Sequence, residues 1–115
     1  LLSPLCADPG HPRAARSSMG AVKLMPWKRC ELGDLSVHGP LLALELGGSS
    51  IVDFTFPSRG VLLLGSEELG LSQPALTLAG TNRISIPMKG IKASLNVAVA
   101  FGIAAQAWIG SKLGA

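Results

Sequence analysis

The chain has 115 residues, of which 48% are hydrophobic and only 15% charged, so it can build one small core and is not a disordered tail. Net charge is +3 with a pI near 9.2. Half of the ten cationic residues (Arg13, Arg16, Lys23, Lys28 and Arg29) fall between Pro9 and Cys30 with no Asp or Glu among them. Such a segment is either an ordinary solvated surface or a patch that attracts a polyanion such as RNA. The two cysteines, Cys6 and Cys30, exclude a disulfide framework, and free thiols are expected. His11 and His38 stand alone, without zinc spacing, so no metal is expected. The longest apolar stretch, Val97 to Ala105, is far short of the roughly 20 residues that span a bilayer, so no membrane partner is expected.

In chain order, Leu1 to Ser3 reads as the end of a strand, as though the chain began inside one. A loop with Pro4, Pro9 and Gly10 follows. Pro12 suits the first turn of a helix running to about Met19 and closed by Gly20. Val22 to Pro26 reads as a short strand, and Glu31 to His38 as a weak helix. Leu41 to Leu46 is read as an apolar run, the pattern of a strand buried on both faces. Gly47 to Gly60 reads as a Gly/Ser-rich connection. Val61 to Leu64 is a strand, and Leu71 to Ala79 a helix capped by Ser72. Arg83 to Ile86 is a strand stopped by Pro87. Ser94 to about Ser111 is the longest helix, apolar nearly all round, and it must bury itself against the sheet, a second subunit, or both. Short apolar strands alternating with helices predict a parallel sheet covered on both faces.

Three segments could carry chemistry. Val61-Leu62-Leu63-Leu64-Gly65-Ser66-Glu67-Glu68-Leu69-Gly70-Leu71-Ser72 is a buried strand delivering an acidic, glycine-bordered loop to the sheet edge where open α/β folds bind ligands. Gly65 would let a ligand approach the backbone. Ile84 to Val97 is a strand, a Pro/Gly loop and a helix N-terminus, where Ser94 and Asn96 offer hydrogen bonds or simply cap the helix. His11 to Val22 is a short helix with two arginines.

In this order and spacing the segments resemble the SpoU/TrmH-type RNA ribose 2′-O-methyltransferases of the SPOUT superfamily, over almost the whole chain. Gly65-Ser66-Glu67 with Gly70-Leu71-Ser72 is similar to the family's second signature. Ile86-Pro87-Met88 through Ser94-Leu95-Asn96-Val97 is similar to the third. Arg16-x-Ser18-Met19-Gly20-Ala21, ending near Pro26, resembles the segment between signatures one and two.

The resemblance implies an α/β fold with a parallel sheet flanked by helices and a deep C-terminal trefoil knot. It implies S-adenosylmethionine as cofactor, touched by the backbone at Gly65, Ile86 and Leu95, with Glu67, Ser94 and Asn96 as catalytic polar groups. Arg13 and Arg16 would meet RNA, either tRNA or rRNA, in a cytoplasmic homodimer. Residues 1–115 would be part of the methyltransferase domain. The family's first signature, with an arginine that helps activate the ribose hydroxyl, is expected upstream of Leu1, so this chain alone is expected to be inactive. The alternative is a non-catalytic RNA- or cofactor-binding module of the same fold.

Overall fold

The computed structural model describes residues 1–66, 69–88 and 96–112. Contacts group the chain into two compact units, Leu1–Leu35 and Ser36–Ala115.

In the first unit, α1 (Pro12–Ser17) starts at His11, whose Nδ1 accepts the Arg13 backbone N–H at 3.1 Å. Met19 (φ 54°) and Gly20 (φ 84°) then reverse the chain into α2 (Ala21–Leu24). The expected strand at Val22 to Pro26 is therefore a helical turn, closed by the Met25 N–H on the Ala21 carbonyl at 3.0 Å. Pro26 cannot continue it, because proline has no N–H to donate. The strand expected at Leu1 to Ser3 is reduced to a single parallel bridge between Leu2 and Arg29. Glu31 to His38 does wind weakly, as a 3-10 helix over Leu32–His38.

The second unit is a three-stranded parallel sheet of order β2-β1-β3, built from β1 (Leu41–Ser50), β2 (Val61–Leu63) and β3 (Arg83–Ser85). Leu41, Leu42 and Ala43 are buried, as an apolar run inside a parallel sheet should be. Leu42, Ile51, Phe56, Ile84 and Ala104 form one core cluster, with Leu44, Leu62, Ile86 and Trp108 packed around it. Ala104 and Trp108 belong to α4 (Val97–Lys112), so α4 covers this face of the sheet. Strand alternation turns Leu41 and Ala43 to the opposite face. There α3 (Gln73–Ala79), which packs against β1 and buries Ala75 and Ala79, is the available cover. Ser72 caps α3 as expected, its Oγ accepting the Ala75 N–H at 3.3 Å.

β1 does not stop at Leu46. It runs on to Ser50 with an irregularity: Ile84 on β3 pairs with both Leu44 and Ser49, so Glu45 to Gly48 loop out of register. The strand resumes because Gly48 lies against β3, where a Cβ would sit 2.6 Å from the Arg83 carbonyl carbon. The Ser85 hydroxyl donates to the Gly48 carbonyl at 3.0 Å, and the Ile51 N–H to the Ser85 carbonyl at 2.8 Å. Among the described residues, no helix is long and apolar enough to cross a membrane.

Candidate active site

Because all three strands are parallel, the segments after β2 and β3 leave the sheet from the same edge, its carboxyl end, where open α/β sheets place ligands. After β2 the chain closes a tight loop. The Gly70 N–H donates to the Ser66 carbonyl at 2.9 Å, and the Leu69 N–H to Ser66 Oγ at 3.0 Å. Gly65 is half-buried against the far side of this loop. A Cβ there would sit 2.1 Å from the Gly70 carbonyl carbon and 2.4 Å from the Leu71 nitrogen. The space a side chain would take at Gly65 is thus filled by the chain's own Gly70–Leu71 peptide. What remains exposable at Gly65 is its backbone. Glu67 lies outside the described residues.

Glu45 was not singled out from the sequence. It is half-buried where β1 leaves register, and its Oε2 lies 3.8 Å from where a Cβ at Gly70 would stand. That puts a carboxylate beside the loop after β2. The available signal was a lone acid interrupting the run from Leu41 to Leu46.

After β3, Ile86 is half-buried with its side chain packed on the core cluster, so any ligand contact there falls to its backbone. Pro87 is exposed and Met88 half-buried. Ser94 and Leu95 lie outside the described residues. Asn96 opens α4: its carbonyl accepts the Ala100 N–H at 2.9 Å and its Oδ1 accepts the Ala98 N–H at 2.8 Å. It is exposed, not a buried polar group, and the helix-capping role is present in the geometry. Its Nδ2 still carries two N–H donors. Gly65 and Ile86 therefore share one sheet edge, on the two strands that flank β1.

Arg13 and Arg16 are exposed on α1 in the other unit. Arg29, counted with them in the basic segment, has a different task. Its Nη1 donates to the carbonyls of Ser3 at 3.1 Å and Cys6 at 2.8 Å, clamping the loop that follows Leu2. Cys6 and Cys30 are free. Among the described residues no three His, Cys, Asp or Glu side chains are grouped to hold a metal ion.

A fold of parallel strands and covering helices, with two glycine- and proline-marked segments at its carboxyl edge, is an α/β ligand-binding class. Comparison with known proteins makes the assignment narrower. The family model described as the SpoU rRNA Methylase family matches residues 1–106, and the chain belongs to that family. It is 32% identical over 105 residues to an uncharacterised tRNA/rRNA methyltransferase of Synechocystis, covering 85% of this chain and 38% of that protein. It is 34% identical over 104 residues to a 23S rRNA uridine 2′-O-methyltransferase of Streptomyces viridochromogenes, covering 80% of this chain and 36% of that one. The structure resembles the SpoU methyltransferase AviRb of the same organism, solved in complex with AdoMet, with a TM-score of 0.81 and 27% identity; 97% of this chain and 46% of that one are covered. The chain thus spans well under half the length of these curated relatives.

Proposed function

We propose that the chain is part of the catalytic domain of an S-adenosylmethionine-dependent methyltransferase that modifies a ribose 2′-hydroxyl of tRNA or rRNA. The observation that carries this reading is the convergence of Gly65 and Ile86, each just past a parallel strand, on one sheet edge, in a chain whose family match runs through both. The names of the relatives support RNA as substrate and the 2′-oxygen as target. The AdoMet complexes of similar chains support the cofactor.

The described residues fit such a cofactor. The edge offers backbone groups at Gly65 and Ile86 with an apolar side chain at Met88, suited to an uncharged adenine with polar ring nitrogens. Gly65, Ile86 and Leu95 would hold it through their backbones, and the segment after β3 would thread the knot implied by the family resemblance. Bound there, S-adenosylmethionine would supply an electrophilic methyl group for the ribose 2′-oxygen. The chain's own work is alignment and proton removal, worth large factors when geometry is held. Glu67 would position the 2′-hydroxyl, Ser94 would hydrogen-bond beside it, and Asn96 would donate from Nδ2 while its Oδ1 caps α4. Arg13 and Arg16 would meet RNA phosphates.

The active form would be a cytoplasmic homodimer. Val99, Phe101, Ile103 and Ile109 stand on α4 with 41–55% of their surface exposed, apolar surface that a second subunit would cover. The reading is tested by mapping 2′-O-methyl sites in total RNA from cells with and without the intact gene. One site lost on deletion and restored by complementation is expected; an unchanged map contradicts the proposal.

A further inference from the structure

The Leu1–Leu35 unit contains a pocket that takes no part in the cofactor site described above. We propose that it seats one unpaired base of the RNA substrate, with Trp27 as stacking platform and Lys23 as counter-charge for the adjoining phosphate. The proposal rests on the reading of the chain as an RNA-modifying protein and adds to it where and how the strand is gripped.

Size is the first argument. The cavity measures about 300 Å³ and is open to solvent. That is the lower end of the roughly 300–1,000 Å³ typical of small-molecule sites, right for a single base and small for a dinucleotide.

The lining is the second. Val22 and Lys23 come from α2, and Met25, Pro26 and Trp27 from the segment where proline ends that helix. Met25 has extended backbone (φ −84°, ψ 121°), which carries the chain away from α2 and leaves Trp27 beside it. Trp27 is 44% exposed and Met25 67% exposed. A half-wet indole is poorly used as core. The contrast is Trp108, which stacks on Phe56 and hydrogen-bonds a carbonyl. An indole face beside a polarizable thioether is a sequence-tolerant surface for a nucleobase.

Charge is the third. Lys23 lines the pocket, and Arg13, Arg16 and Lys28 are exposed on the same unit, whereas Arg29 is occupied by loop carbonyls. Neither of the acids nearest in sequence, Asp8 and Glu31, lines the pocket; Asp8 Oδ1 accepts the Gly10 N–H at 2.8 Å, and Glu31 is exposed. Aromatic and cationic groups side by side match a base and its phosphate. An acidic peptide would use the cations and leave the ring without a partner.

The test uses the full-length protein with two probes, a short single-stranded RNA of mixed sequence and inorganic polyphosphate, which has charge and no bases. In a background where Trp108 and any tryptophan outside these residues are changed to Phe, RNA should quench the Trp27 emission while polyphosphate should not. Trp27→Ala should weaken RNA binding about five- to a hundredfold at unchanged polyphosphate affinity, and Trp27→Phe should restore most of it. Lys23→Ala should weaken both probes. If folded Trp27→Ala, checked by its melting curve and its cofactor affinity, binds RNA like the parent, the proposal fails. It also fails if RNA and polyphosphate weaken together, which would mark a plain polyanion surface. A protein that shows Trp27-dependent RNA binding but no cofactor binding would support the pocket and sink the methyltransferase reading, so the two fail separately.

Discussion

Trp108 stacks on Phe56 with ring centroids 5.5 Å apart and planes 22° apart, while its Nε1–H donates to the neighbouring Pro57 carbonyl at 2.9 Å. One turn on, the Lys112 ammonium donates to the Phe56 carbonyl at 2.6 Å. The end of α4 is thereby fastened to the connection between β1 and β2. Trp108→Ala should destabilise the protein by about 3 kcal/mol, the cost of truncating a packed aromatic and orphaning a carbonyl. Urea unfolding should show a lower midpoint with unchanged slope; a midpoint equal to the parent's would mean that the anchor is idle.

Gly65→Ala places a methyl 2.1 Å from the Gly70 carbonyl carbon, which is backbone and cannot swing aside. The loop between Ser66 and Gly70 must open, and calorimetry should show cofactor affinity reduced at least tenfold. Ser66→Ala, which loses only the bond to the Leu69 N–H, should cost far less. Equal, near-parental affinities for both variants would remove Gly65 from the site.

Asn96 has two separable jobs. Asn96→Asp keeps a capping oxygen at the helix N-terminus and removes the Nδ2 donors; Asn96→Ala removes both. The aspartate variant should melt like the parent yet transfer methyl groups at least tenfold more slowly. The alanine variant should also lose about 1 kcal/mol of stability. An aspartate variant with full activity would leave Asn96 as a cap alone.

The exposed apolar side chains of α4 should meet a second subunit. Phe101→Glu should shift the sedimenting species from dimer to monomer at micromolar concentration without altering the core, since Phe101 is 49% exposed. A parent protein that already sediments as a monomer would contradict the interface.

How much of this was legible in the sequence differs by element. Leu41 to Leu44 and Val61 to Leu63 were plain, because strands buried on both faces of a parallel sheet read as unbroken apolar runs. Ser72 was legible because capping is local chemistry. Val22 to Pro26 read as a short strand, but the reversal at Met19 and Gly20 sets up one helical turn instead. The continuation of β1 through Gly47 to Ser50 was hidden, since glycine and serine have little strand preference and the pairing is supplied by β3. Arg29 looked like part of a basic patch, and only its distant carbonyl partners show otherwise. Ser94 and Asn96 both suit a cap, and sequence alone does not choose between neighbours of like chemistry.

The central claim is methyl transfer from S-adenosylmethionine to a ribose 2′-oxygen, and one assay reads both halves of it. The full-length protein is incubated with methyl-tritiated S-adenosylmethionine and total RNA, and the RNA is then hydrolysed in alkali. A 2′-O-methyl group blocks the hydroxyl that attacks the neighbouring phosphate, so label on ribose survives in alkali-resistant dinucleotides. The account predicts label in that fraction, reduced at least tenfold by Asn96→Ala. Label confined to mononucleotides would mean base methylation, and no incorporation with a folded, RNA-binding protein would mean that the chain does not serve this chemistry.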